Sequence, residues 1–473
     1  MADIVTGKVF ADGEKGITAA KMNAIIGQSV IQPAFYTSRP SSSTMDPTDI
    51  FLLLKSNGSY AQVLASNVSA SVSGSLVLAD ATQNGMLRQV SGLTTDIIDG
   101  TNHCVPAASS PGIGLMRLRS FSSIGNPGSE VDQRYAGAGL VVPTGAFTAT
   151  VVDRWAIGKN TATATFTARQ VVPTPTALVA PGTSYQLSSQ CFRVLLSAQQ
   201  PTLAAGEYVQ LTQSVEGTLL RELIGDVHSL SLLVQCTSAP FTFSVRLTSP
   251  SPYYTLTKLC TISTANQWTL ISLPNLPVWT PSATWPLTAG NLGYTLGIGL
   301  GAGSTFTSGA NDTWQNGNFV CGPGSGNFAS FPVNSIFYVG FVQHEPGSVC
   351  TQLIDKPFSQ SLDECLRYYC KSANYGTLPG AASAVGINCI TPASANPNFY
   401  VSFSKPMAKT PTVTAYSAGT GAVNNVRDVN AGVDRAVSAI TNPTEKGFGG
   451  CTLSTLNSSV TQYLYNYQAD TGW

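Results

Sequence analysis

Charge is what this sequence has least of. Lys, Arg, Asp and Glu together make up 10% of its 473 residues, against about 25% in an ordinary soluble domain. The 24 basic residues balance the 24 acidic ones, so the formal net charge is zero. That excludes a nucleic-acid binder that works by neutralising phosphates, which needs a basic surplus. It also excludes an amphipathic membrane binder with a Lys/Arg-rich polar face. Long apolar runs are missing too. The longest, Ile50-Phe51-Leu52-Leu53-Leu54, is far short of the ~20 residues that span a bilayer. The start, Met1-Ala2-Asp3-Ile4-Val5, has no basic n-region or apolar h-region, so synthesis in the cytoplasm without a secretory signal is expected. Hydrophobic content is an ordinary 43%, which argues against disorder. Ser, Thr, Asn, Gln and Gly take the place of the missing charges. A soluble protein so poor in charge is expected to hide surface in an oligomer or to live where charge-driven solubility matters less.

Catalytic motifs are equally scarce. There are three histidines, His103, His228 and His344. His344-Glu345-Pro346 cannot extend into a helical H-E-x-x-H zinc site, because no second histidine follows and Pro346 would break the helix. No G-x-S-x-G elbow or Walker A loop occurs. Gly297-Ile298-Gly299-Leu300-Gly301-Ala302 fits a relaxed dinucleotide pattern, but no helix follows to face a pyrophosphate, so a glycine-rich strand or turn is expected. Asp428 to Asp434 spaces oxygens like the start of a calcium loop, yet it lacks the later ligands and reads as a solvated turn. No metal site, cofactor or catalytic residue is expected, and the chain reads as a non-enzyme. The ten cysteines are Cys104, Cys191, Cys236, Cys260, Cys321, Cys350, Cys365, Cys370, Cys389 and Cys451. None forms a C-x-x-C pair. Most are expected to be buried thiols, with disulfides as the alternative should the protein end outside the cell.

Four segments follow from pattern. In residues 1–65, Thr18 can cap a short helix over 19–26 with Met22, Ile25 and Ile26 on one face. Extended runs follow at 31–36 and 50–55, and Asn57-Gly58 marks a hairpin. Residues 66–112 turn Ser/Gly/Ala-rich and suit a flexible linker or a thin shaft of several chains side by side. Small apolar residues at alternating positions favour the shaft. From 113 the text is β. Phe241, Phe243, Val245 and Leu247 alternate with polar residues, as do Phe399, Val401 and Phe403, and Tyr463, Tyr465 and Tyr467, the period of half-buried strands. Ile336 to Val342 is apolar on nearly every residue and reads as a two-faced core strand. A capping box, Ser361-Leu362-Asp363-Glu364, predicts one short helix between a β domain at 113–368 and another at 369–473. The fold class expected is mainly β: a small α+β module, a shaft, then two β-sandwich or jelly-roll domains.

Binding chemistry is easier to motivate than catalysis. Planar aromatics flanked by amides and hydroxyls suit a sugar, which offers both C–H faces and hydroxyls. Three turn-rich stretches have that composition, and they nominate Trp314, Asn316 and Asn318, then Trp279 and Trp285, and thirdly Tyr254. The competing expectation is that these rings plug the open end of a sandwich.

Several segments together resemble the fibre and minor structural proteins of tailed bacteriophages. Gly16 to Asn23, Ile31-Gln32-Pro33-Ala34-Phe35-Tyr36 and Asp49 to Leu53 look like their virion-proximal module. Asp153-Arg154-Trp155, Leu211-Thr212-Gln213, Leu230-Ser231-Leu232 and Val342-Gln343-His344-Glu345-Pro346-Gly347 are similar to a jelly-roll module of these proteins. Glu364-Cys365-Leu366-Arg367-Tyr368-Tyr369-Cys370-Lys371 resembles their "CqRYY-K" element, with Leu366 where Gln is usual. Met407 to Val413 resembles the "M-x-x-x-PTV" strand that follows. The resemblance implies a virion component: a homotrimer joined to other virion proteins by its N-terminal module, with distal β domains that meet a host surface receptor or glycan. A collar or capsid-decorating fibre without a receptor and a glycan-cleaving tailspike are the alternatives.

Overall fold

Alternating apolar text becomes strand almost wherever it occurs. The computed structural model describes residues 122–173, 178–179, 186–382, 387–390, 398–454 and 462–473, with six short strands between 50 and 106. The helix expected over 19–26, the extended run at 31–36 and His103 lie outside the described residues. The chain divides into two compact units, Met1–Arg117 and Leu118–Trp473.

In the first unit the described strands form three antiparallel hairpins. Strand β1 (Ile50–Leu54) pairs with β2 (Tyr60–Leu64), Leu54 opposite Tyr60, as the Asn57-Gly58 turn predicts. The other two are β3 (Leu76–Ala79) with β4 (Leu87–Val90) and β5 (Asp96–Ile98) with β6 (Cys104–Pro106).

The second unit begins with a sandwich of two antiparallel sheets. One has the order β18 (Thr269–Leu276), β15 (His228–Cys236), β21 (Ile336–Pro346), β13 (Cys191–Ala198), β10 (Thr165–Val171) and β7 (Leu140–Val141). The other runs β20 (Trp314–Asn316), β17 (Tyr254–Ile262), β16 (Phe241–Thr248), β19 (Leu292–Ala302), β14 (Tyr208–Glu216), β9 (Trp155–Asn160) and β8 (Ala146–Val152). The chain crosses repeatedly between the sheets, a jelly-roll-like habit. Phe166, Phe192, Phe241, Phe243, Phe337 and Ile157 fill the space between them. A small two-stranded sheet, β11 (Leu178–Val179) with β12 (Gln186–Ser188), lies beside them, and Leu178 and Leu187 join an outer cluster with Leu233 and Phe341.

Strand β16 corrects the half-buried expectation, because Ser244, Arg246 and Thr248 on its polar face are buried as completely as Phe243 and Leu247. Residues 303–327 lie over that face. Glycine makes the close approach possible. A Cβ on Gly297 would stand 2.5 Å from Arg246 Nε, and one on Gly299 would stand 2.2 Å from the Val320 carbonyl. Hence the glycine-rich run is a strand with a stripped face, not a nucleotide loop. Arg246 donates to Thr248 Oγ1, Asn318 Oδ1, the Phe319 carbonyl and Gln210 Oε1. All these acceptors are neutral, and burial pushes its guanidinium down to about 10.

Two helices are described: α1 (Gly217–Leu220) and α2 (Phe358–Leu366). Helix α2 corrects the capping-box reading. Pro357 is its N-cap residue, with φ −52° and ψ 141°, and the Pro357 carbonyl accepts from Gln360 N and Ser361 N. The fixed proline φ therefore starts the helix early, and Ser361 becomes a buried interior residue. An eight-stranded sheet follows, in the order β22 (Tyr369–Lys371), β29 (Gln462–Asp470), β26 (Asn425–Asp428), β27 (Val433–Ile440), β28 (Gly447–Leu453) and β24 (Asn398–Ser402), with β23 (Ile387–Ile390) and β25 (Thr412–Ser417) also on β29. Tyr463, Tyr465 and Tyr467 enter its core with Phe403 and Phe448, as alternation predicts. The Asp428–Asp434 stretch is the expected solvated turn, exposed over residues 429–432 between β26 and β27, and its two end carboxylates are engaged. Asp428 is fully buried and accepts from Arg435, while Asp434 accepts from Ser417 Oγ and Arg427.

Candidate functional site

At one end of the sandwich, three of the nominated rings meet. Trp279 and Trp285 come from the loop after β18, and Trp314 opens β20. Ring centroids are 4.9 Å apart for Trp279–Trp285, 5.4 Å for Trp285–Trp314 and 5.6 Å for Trp279–Trp314. Trp279 is buried, whereas Trp285 and Trp314 remain partly exposed. Their indole N–H groups are used internally. Trp279 donates to the Leu223 carbonyl, Trp285 to the Thr280 carbonyl and Trp314 to the Val278 carbonyl, 3.2, 2.8 and 2.9 Å away. What remains for a ligand is ring surface, and polar contacts must come from neighbours.

Those neighbours follow from register. Tyr254 pairs with Asn316 and Leu256 with Trp314, so all four side chains lie on one side of their strands. The Asn316 side chain is exposed and makes no hydrogen bond to the described residues. Tyr253, 43% exposed, adjoins. Asn318, by contrast, is turned inward as a strut for Arg246. Five of the six nominated residues thus gather at one end, and the sixth supports the covering segment.

Beneath the rings runs a buried polar chain that sequence reasoning missed. His228 stacks on Trp279 with centroids 4.7 Å apart, and its Nε2 lies 3.1 Å from the Pro277 carbonyl. A carbonyl only accepts, so that nitrogen carries the proton. In the neutral ring His228 Nδ1 then accepts from His344 Nε2 at 2.9 Å. His344 Nδ1 in turn accepts from the Tyr294 hydroxyl at 2.5 Å, and the Tyr294 oxygen accepts from Ser123 Oγ at 2.6 Å. One fixed carbonyl thereby orients four side chains. Burial pushes His228 down to about 4, and burial together with His228 holds His344 well below the ordinary imidazole range. The residues stand at positions 123, 228, 294 and 344, and no local pattern joins them.

No family model matches the chain, and no curated protein matches it. Solved structures do overlap with it. TmCBM61 in complex with β-1,4-galactotriose is 10% identical over 48% of this chain and 99% of its own, with a TM-score of 0.25. The family 11 carbohydrate-binding module from Clostridium thermocellum, in complex with a β-1,3-1,4-mixed-linked tetrasaccharide, is 9% identical over 45% and 98%, with a TM-score of 0.24. The enzymatically active domain of tailspike protein 4 of bacteriophage CBA120 is 9% identical over 48% of this chain and 21% of its own, at 0.25.

Of the segments that carried the fibre resemblance, those within residues 16–53 belong to the first unit, and Gly16 to Asn23 and residues 31–36 lie outside the described residues. Asp153-Arg154-Trp155, Gln213, Val342 to Gly347 and Glu364 to Lys371 sit where the sandwich meets α2 and the eight-stranded sheet. Arg367 Nε donates to Glu216 Oε2 at 2.8 Å, as does the Tyr368 hydroxyl at 2.8 Å, and the two side chains form an ion pair. Burial alone would raise Glu216. Arg367, the Gly290 N–H and Tyr368 outweigh it and hold the carboxyl below its usual range. The Arg154 guanidinium lies 3.6 Å from the Tyr368 ring centroid, and Arg134 stacks on Tyr369 at 4.0 Å while pairing with Asp470. Gln213 exchanges two hydrogen bonds with the backbone of Gly125. Gln343 accepts from Ile354 N, and Glu345 accepts from Thr351, which anchors the approach to α2. These motifs act as mortar between parts. A cavity of about 310 Å³ at this junction is walled by Arg154, Glu216, Lys356, Glu364 and Arg367, most of them already paired.

Seven cysteines are free thiols, Cys191, Cys236, Cys260, Cys321, Cys350, Cys365 and Cys370, all but Cys350 buried, and Cys451 is buried too. The disulfide alternative is thus not realised among those seven within the chain. Cys365 lies in α2 and Cys370 in β22. Burial pushes Cys191, Cys260, Cys321 and Cys370 up to about 12, which keeps them unreactive. Cys104 and Cys389 fall in β6 and β23, whose side chains lie outside the described residues. Among the described residues no group of three or more His, Cys, Asp or Glu is placed to hold a metal ion.

Proposed function

We propose that this chain is a carbohydrate-recognising subunit of a trimeric bacteriophage fibre, joined to the virion through its N-terminal module. The observation that carries the recognition is the meeting of Trp279, Trp285 and Trp314 beside Tyr254 and Asn316. Aromatic faces pack on sugar C–H surfaces, and an exposed amide meets hydroxyls. The polar chain below keeps the floor rigid, so little ordering cost falls on binding. The fibre part of the reading is supported by the ordered series of motifs and by the scarcity of charge.

A glycan array probed with the full-length protein tests it. Wild type binds a neutral saccharide from the host surface, and Trp314→Ala weakens that binding at least 10-fold with an unchanged melting temperature. Absence of binding to any host glycan or host cell would favour a receptor-free collar fibre. New reducing ends after incubation would favour a tailspike enzyme.

A further inference from the structure

The outward face of the six-stranded sheet carries a second arrangement that the aromatic end does not use. Register places Arg169 of β10 directly opposite Arg193 of β13, Arg193 opposite Tyr338 of β21, and Tyr338 opposite Gln235 of β15. Trp268, just before β18, ends the row, its ring centroid 6.0 Å from that of Tyr338. The neighbours of these residues along each strand, Ala168, Phe192, Phe337 and Val234, point into the sandwich core, so the row faces outward. A Cβ on Gly340 would stand 2.9 Å from the Trp268 ring and 3.1 Å from the Leu178 side chain. The missing side chain there lets the indole lie close on the sheet, where it and Tyr338 pack on one side against the outer cluster of Leu178, Leu233 and Phe341 and stay partly exposed on the other. Five strands at ~4.8 Å spacing make the row about 19 Å long.

Two features of the row are uneconomical for a purely structural surface. Like charges directly opposite each other on adjacent strands destabilise a sheet, yet neither Arg169 nor Arg193 forms an ion pair or side-chain hydrogen bond with any described residue. In addition, Arg169 Nε, Arg193 Nε and Trp268 Nε1 are three buried donors without an acceptor. All three lie in this row. Elsewhere in the second unit, Arg134, Arg367 and Arg435 have carboxylates, and Arg154 and Arg246, though each keeps a buried donor unpaired, donate to neutral oxygens; Arg169 and Arg193 have neither.

We infer that this row binds an acidic oligosaccharide, its carboxylate held by Arg169 and Arg193 and a neighbouring sugar ring resting on Tyr338 and Trp268. A guanidinium pair suits a carboxylate because each offers parallel N–H donors. The adjoining aromatics argue for a sugar acid over a bare anion, and the length of the row for an oligomer. This site is separate from the tryptophan end and stands or falls independently of it.

Calorimetry with the full-length protein at low salt, using tetragalacturonate, its methyl ester and a panel of sialylated oligosaccharides, decides the matter. At least one acidic oligosaccharide binds, at least 10-fold tighter than its neutral counterpart, and the affinity falls as salt rises. Arg169→Gln with Arg193→Gln loosens that binding at least 10-fold, while the melting temperature holds or rises because the like-charge pair is gone. Binding of neutral saccharides is unaffected in this double variant, and acidic binding persists in Trp314→Ala. Equal affinity for acid and ester, full affinity in the double variant, or no acidic ligand in the panel would each overturn the assignment.

Discussion

At the scale of single residues, a proton's position governs the aromatic end. The chain Ser123–Tyr294–His344–His228 works only with both imidazoles neutral, since a proton on His228 Nδ1 would confront the His344 Nε2–H. Unfolded, a histidine titrates near 6.5; folded, His228 is pushed down to about 4. Between those values the unfolded chain holds more protons, so the histidine contribution is complete above about pH 7 and is lost as pH falls toward 4. Asp153 and Asp355, raised by burial to about 6 and about 7, act in the opposite direction over the same range. The histidine share therefore shows in a difference. The stability of wild type minus that of His228→Phe should shrink by roughly 3 kcal/mol from pH 7 to pH 4, the equivalent of that pKa displacement. Denaturant titrations at the two pH values measure it. A difference that does not change with pH would mean that folding leaves the His228 titration unshifted.

At the scale of elements, helix α2 allows a comparison within one short segment. Arg367, at its C-terminal end, meets Glu216, which is 2% exposed, whereas Asp363 meets Lys405 with 60% exposure. Breaking a buried pair strands a desolvated charge and costs about 3–5 kcal/mol, while an exposed pair is worth less than about 1 kcal/mol. Because Arg367 is partly exposed, Glu216→Gln should cost about 2–4 kcal/mol and open the α2 junction to limited proteolysis. Asp363→Asn should change stability by less than about 0.5 kcal/mol. Equal effects would show that the junction motifs do not hold the parts together. The same helix shows where sequence stops being legible. Alternation found β29, a nearly continuous apolar run found β21 and the Asn57-Gly58 turn found the β1–β2 hairpin, because each is decided by residues close along the chain. Local pattern missed the true start of α2, which Pro357 imposes before the capping box. It also misread β16, because the segment that buries Arg246 lies some seventy residues downstream (Asn318, Phe319). The tryptophans stood out by composition, but their convergence and the polar chain beneath them are set by the crossings between sheets. The fibre-like motifs at Arg367, Tyr368, Gln213 and Glu345 hold the junction of the second unit.

At the scale of the whole molecule, the proposed fibre depends on copy number. Only 10% of the residues are charged, at zero net charge, and such a surface offers little repulsion between copies. A homotrimer, with three times the 49.4 kDa subunit mass, is the expected result of chromatography with light scattering. The aromatic end presents ring faces whose N–H donors are spent, so a single site is expected to bind weakly. Three sites on one particle convert later contacts into intramolecular ones, which adds about 10²–10⁴ in avidity when the spacing permits. On a surface dense in the bound glycan, the protein should dissociate at least about 100-fold more slowly than on one so sparse that only one site engages. Mixed trimers made by co-expression with Trp314→Ala should lose most of that gain once a single functional site remains. A monodisperse monomer, or a dissociation rate indifferent to glycan density, would remove the multivalent fibre and leave a single-site lectin.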